Sequence, residues 1–173
     1  MCSVVYSKRD LEVACVTRNA ALFFATIRFF GEEGEHLAFL YSIRSRWDYV
    51  TDVLCNTPLC DYEFNVFEEA VKAHNSFALN LLLSRVDLTN CRAVTRIIEA
   101  IRVAECMCQH EFASKLFERL TDYLSEEMLA LSFGYEISKS LRKYLDDREH
   151  IYNSRHLMEP AYIQPIFVPI CSQ

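Results

Sequence analysis

The chain has 173 residues, of which 51% are hydrophobic and 13% aromatic, enough to bury the core of one domain. Its net charge of -6 argues against phosphate-backbone binding as the main activity, because that affinity comes from clustered Lys and Arg releasing counterions. Three glycines and four prolines are too few for a protein of hairpins and turns, so the fold class expected is all-α, a single-domain helical bundle.

In chain order, a first helix is predicted from Asp10 to Phe30. Asp10 caps it, Leu11, Ala14, Cys15, Ala21, Leu22, Ala25 and Phe29 recur near helical spacing, and Gly31 is the stop. "EHLAFLYSIRSRWDYVTDVLC" reads as a second helix, with Leu37, Leu40, Ile43, Trp47, Val50 and Leu54 on one side and Pro58 ending any continuation. "DYEFNVFEEAVKAHNSFALNLLLS" turns Phe64, Phe67, Val71, Leu79, Leu82 and Leu83 inward, and Asn75 and Ser76 permit a break into two shorter helices. After the connection "RVDLTN", Thr89 or Asn90 caps a helix running through Cys108 or further. A short helix opens at Ser125, and "ISKSLRKYLDD" makes a last amphipathic one. The bundle is expected over 1–150, and the proline-bearing segment 151–173 is expected to be an extended or disordered tail. The helices have a pairwise texture, but no fixed period emerges.

Eight cysteines in a chain whose first residues, "MCSVVYSKRD", lack an apolar core of signal-peptide length are expected to be reduced thiols in cytosol or nucleus, not secreted. No apolar run approaches the ~20 residues that span a bilayer.

Cys106, Cys108 and His110 form a C-x-C-x-H cluster, but residues two apart on a helix point about 200° away from one another and cannot converge on a metal. Both thiols are therefore expected to be small buried apolar groups. Cys55 and Cys60 flank Pro58 without the spacing of a redox pair, and the five histidines lack the i, i+4 partner of a metal helix. The adjacent acid pairs, Glu32 with Glu33, Glu68 with Glu69, Glu126 with Glu127 and Asp146 with Asp147, read as solvated faces. With no phosphate loop, dinucleotide fingerprint or nucleophile elbow, the expectation is a non-enzyme with no cofactor and no metal.

The stretch "VDLTNCRAVTRIIEAIRVAECMCQHEF" carries Val94, Ile97, Ile98, Ile101, Ala104 and Cys108 on one helical face. Arg96, Glu99 and Arg102 lie on another, where they can pair at three-residue spacing. A helical bundle without catalytic signals works most often by holding a partner helix in a groove.

Several stretches in order, "TRN" at 17, "IRFFG" at 27, "FLYSIRSRWDYVTDVL" at 39 and "VDLTNCRAVTRIIEAI" at 86, resemble the adenovirus early-region small T antigens, a family of Bcl-2-like inhibitors of cell death. Arg92 stands where that family's first Bcl-2 homology segment carries its arginine, with Cys91 in place of the usual glycine. The polar stripe of Arg96, Glu99 and Arg102 also departs from the family's mostly apolar central helix. The resemblance implies a Bcl-2-like fold and a groove that binds pro-apoptotic host proteins of the Bax or Bak type, blocking cell death induced through death receptors or p53. Groove residues would be Ile43, Trp47 and Val50 on one helix and Asn90, Arg92, Val94 and Ile97 on the other. It further implies action in the host cytoplasm and at intracellular or nuclear membranes, with any membrane association peripheral or partner-mediated. The segment from Val86 to Leu129 also resembles the last helices of a BTB domain leading into a BACK-type extension, as in ubiquitin-ligase adaptors, although a BTB domain needs strands upstream.

Overall fold

Ser7 starts the first helix through a reciprocal cap. Its hydroxyl accepts from the Asp10 N–H, while the Asp10 carboxylate accepts from the Ser7 N–H at 2.7 Å. The hydrogen bonds from the Ser7 backbone and hydroxyl hold the Asp10 carboxyl below the usual carboxylate range. From there the computed structural model describes residues 5–56 and 61–123, all within the first of the chain's two units, Met1–Gly134. Among the described residues are eight helices and no strand: α1 (Lys8–Thr17), α2 (Ala20–Phe30), α3 (Glu32–Ser45), α4 (Asp48–Leu54), α5 (Val66–Lys72), α6 (Ser76–Arg85), α7 (Cys91–Cys106) and α8 (His110–Thr121). They form an all-helical bundle, as the composition implies. The helices expected beyond residue 124 and the tail at 151–173 lie outside the described residues.

The two long helices expected at the start are each two helices. Arg18 and Arg46 take left-handed backbone angles, φ 54° and 55°, and each ends one helix one residue before the next is capped. The same device closes α5 at His74 and α7 at Cys108, with φ 54° and 56°. In all four turns the left-handed residue donates its N–H three residues back, and the following residue donates five residues back, to Ala14, Ser42, Ala70 and Ala104 at 2.8–2.9 Å. This paired closure is the Schellman motif, usually made with glycine. A side chain in that conformation costs about 1–2 kcal/mol, offset here by the paired hydrogen bonds and by packing around the turn.

Four helix-turn-helix units therefore follow one another: α1–α2, α3–α4, α5–α6 and α7–α8. Twenty-eight residues separate Arg18 from Arg46 and Arg46 from His74, and 34 separate His74 from Cys108. Counted from those turns, the cores coincide. Seven residues before the turn stand Leu11, Phe39, Phe67 and Ile101, and four before it stand Ala14, Ser42, Ala70 and Ala104; all eight are buried. Five after it come Phe23, Thr51, Leu79 and Ala113, again buried. The small residues let paired helices approach, and the large ones fill the space between units, each contributing on the order of 1.5–3 kcal/mol. In the second unit the Thr51 hydroxyl donates to that of Ser42 at 3.0 Å, which satisfies both inside the core.

The units stack in series. First helices pack on first helices, α1 on α3, α3 on α5 and α5 on α7, while α4 packs on α6 and α6 on α8. Side chains bridge each step. Phe23 meets the Trp47 ring edge-on at 5.2 Å, and the Arg46 guanidinium donates to the Ala73 carbonyl at 3.0 Å. Asn75 donates to the Ile43 carbonyl at 3.0 Å, and Arg44 pairs with the buried Glu69 at 2.8 Å. Arg85 and Arg119 hold equivalent places, eleven residues after their turns. Arg85 reaches back to the Cys55 carbonyl at 2.6 Å and Arg119 to the Leu83 carbonyl at 3.1 Å. Between the first two units Gly31 makes the positive-φ turn (φ 61°) and ends α2 as expected. Gly34 lets α3 cross α2, since a Cβ there would stand 2.9 Å from Phe30 Cβ.

Three further expectations are corrected. Phe29 was placed in the core but is 52% exposed, because α2 begins anew at Ala20 and its face rotates relative to α1. Glu69, read as part of a solvated pair, is buried between units, where Arg44 and Lys72 neutralise it. Arg96 and Glu99 turn outward from their own helix. Arg96 donates to the Tyr62 carbonyl at 3.2 Å, and Glu99 accepts from Asn65 at 3.2 Å, which ties α7 to the segment before α5.

Candidate partner-binding surface

The residues expected to line a groove divide between core and surface. Ile43 and Ile97 are 0% exposed and Val50 is 3% exposed, so none is free to meet a partner in this arrangement. Trp47 is half-buried against Phe23, and Val94 is half-buried on α7. Asn90 caps α7 by accepting from the Arg92 N–H at 2.9 Å, as its spacing implies. Arg92 is exposed and makes no side-chain hydrogen bond or ion pair among the described residues. The two halves of the expected groove do not face each other. Ile43, Trp47 and Val50 belong to the second unit and Arg92 to the fourth, with α5 and α6 stacked between them. On α7, Ala93, Ile97, Ala100, Ile101 and Ala104 form one buried face, and the opposite side is open.

A different surface stands out on the second helices. Tyr49 (72% exposed), Val53 and Phe77 project from α4 and α6, and Tyr49 and Phe77 each lie three residues after their turn. Equivalent register on neighbouring helices places the two rings along one ridge. Beside it an open groove of about 570 Å³ runs between α6 and α8, lined by Asn80, Leu83, Ser84, Lys115, Glu118, Arg119 and Asp122. Charges of both signs line this groove. The hydrophobic pattern leaves Tyr49, Val53 and Phe77 off the inward faces but gives them no role, and the register of the repeat shows that Tyr49 and Phe77 hold equivalent places on neighbouring helices.

The thiols divide by burial. Desolvation pushes the Cys15 thiol up to about 12, and burial raises Cys55 although Arg85 opposes it. Neither supplies a thiolate nucleophile at neutral pH. Cys106 and Cys108, expected inside, are exposed: α7 ends at Cys106, and Cys108 sits on the left-handed turn. Among the described residues no three His, Cys, Asp or Glu side chains are grouped to hold a metal ion. In the folded protein a maleimide at pH 7.5 should label Cys91, Cys106 and Cys108 rapidly, with Cys15 and Cys55 reacting at least tenfold more slowly until denaturant is added. Peptide mapping by mass spectrometry reads the order, and equal rates would show that the first two units open readily.

Among the described residues no helix is long and apolar enough to cross a membrane. No protein-family model matches the chain, and comparison with curated proteins and with solved structures returns no significant match.

Proposed function

We propose that this protein is a binding module that works without bond-making chemistry and presents the α4–α6 ridge and the adjoining α6–α8 groove to a protein partner. The observation that carries the reading is the aromatic pair Tyr49 and Phe77, exposed at one register of a serial helix stack. Stacked helix pairs generate extended surfaces suited to polypeptides, and exposed aromatics are common anchors of such contacts. The partner class implied by the sequence resemblance is a pro-apoptotic host protein of the Bax or Bak type, met in the cytoplasm or at intracellular and nuclear membranes through that partner. Arg92, at the start of α7, is the one groove residue of that resemblance that is exposed.

The test is direct binding of the full chain to Bax or Bak death-motif peptides and to the full-length proteins, with Tyr49→Ala/Phe77→Ala and Arg92→Ala compared against the natural chain. Loss of roughly tenfold or more in affinity on removing both rings supports the ridge. Affinity lost only with Arg92→Ala would move the site to α7, and no binding to any of these partners would remove the apoptotic reading. The adaptor reading draws support from the serial helix pairs, which suit a helical extension. Its strand-bearing half has no counterpart among the described residues.

A further inference from the structure

The register of the repeat identifies which side of a unit meets its predecessor. Five residues before the turn, Tyr41 packs against the core cluster that joins Leu11, Ala14, Cys15 and Phe23 of the first unit to Ala38 and Val50 of the second, and Glu69 pairs with Arg44 of the second. Eleven residues after the turn, Arg85 and Arg119 reach back to carbonyls of the preceding unit. In the first unit these two positions are occupied by Val13 and Phe29, with no earlier unit among the described residues to cover them, and they are 43% and 52% exposed. Tyr6 lies against Phe29 with ring centroids 5.7 Å apart and extends the apolar area. A repeat with no neighbour on one side ordinarily turns a polar face that way. Among the described residues this unit is the first of the stack, and it turns out side chains of the kind that stack units.

We propose that this end face is a dimer interface on which a second copy of the chain docks through its own first unit. The interface would use the side of α1 that corresponds to the side α3 turns to α1, but paired with the same side of the second copy, so it closes instead of repeating the head-to-tail α1–α3 contact. The surface charges favour a copy of the chain over an unrelated partner. Arg9 and Glu12, both exposed on α1 beside Val13, make no ion pair among the described residues. A two-fold axis crossing α1 near them sets Arg9 of each copy against Glu12 of the other and brings Val13 toward the partner's Tyr6 and Phe29. That is the self-complementarity an isologous interface requires, and it closes at two copies.

Sedimentation of the full chain at about 100 μM should give twice the monomer mass of 20.2 kDa. Val13→Glu and Phe29→Glu should each weaken association by roughly tenfold or more, with the circular dichroism of the natural chain retained, since neither side chain is in the core. Arg9→Glu should weaken it as well, and Arg9→Glu combined with Glu12→Arg should restore it. Tyr49→Glu, on the other ridge, should leave it unchanged. A monomer at that concentration would overturn the proposal. So would a dimer indifferent to the Val13, Phe29 and Arg9 changes, or growth into longer polymers, which signals head-to-tail contact instead of two-fold closure.

Discussion

Ile97→Asp is expected to unfold the protein rather than disable a binding face. The side chain is 0% exposed on the face of α7 that packs on α5, with Ala93, Ala100, Ile101 and Ala104 buried around it. An aspartate there must either hold an unpaired carboxylate in an apolar layer or take up a proton to avoid doing so, and in both cases the isoleucine packing is lost. Penalties of this kind exceed about 4 kcal/mol, against a total stability on the order of 5–15 kcal/mol for an ordinary domain. Loss of helical signal, or a large fall in melting temperature, is the expected result. A native-like melt would mean that α7 packs by another face. Arg92→Ala, one and a half turns earlier on the exposed side, should change stability by no more than about 0.5 kcal/mol. Any loss of binding with Ile97→Asp thus reports folding, whereas the same loss with Arg92→Ala reports the surface.

Asn75→Ala is the second large effect, because one amide does two jobs. Its oxygen accepts from the Ala78 N–H and caps α6, while its nitrogen donates to the Ile43 carbonyl in the preceding unit, and the residue is 3% exposed. Losing the cap costs about 1 kcal/mol. Losing the inter-unit bond costs about 1 kcal/mol more, because the Ile43 carbonyl is left with the longer Arg46 N–H bond at 3.3 Å. A total of about 2 kcal/mol or more should appear as a lower urea midpoint. Asn19 is the internal control: it occupies the same place in the first unit and caps α2 through the Leu22 N–H, but it is exposed. Asn19→Ala should cost only the cap. Equal losses at the two sites would show that the Asn75–Ile43 bond contributes nothing to holding the second and third units together.

Helicity and much of the core were legible in the sequence because period-3.6 patterning depends only on neighbours along the chain. Leu11, Ile43, Val71, Leu82 and Ile101 were all assigned inward and are buried. So was the break at Asn75, whose side chain advertises a cap. The repeat itself was hidden. Its turns carry arginine, arginine, histidine and cysteine where glycine is the usual mark, so helices running to Phe30 and Leu54 looked continuous. Unequal spacing hid it further: α7 is 16 residues long, and the last step between turns is 34 instead of 28. The candidate site was less legible for a related reason. Helical periodicity left Tyr49 and Phe77 off the inward faces but put Phe29 on one, and whether a side chain such as Phe29 is covered depends on which units stand beside it.

Serial stacking sets how this molecule responds to being pulled, cut or lengthened. Among the described residues neither α1 nor α2 packs extensively on α7 or α8, and side-chain bridges such as Arg119 to the Leu83 carbonyl, 36 residues apart, join neighbouring pairs. Tension on the ends should peel pairs away one after another, as a zipper opens, and an early-formed pair can template its neighbour during synthesis. Duplication or loss of a whole pair is the change in length that such an architecture absorbs with least rearrangement.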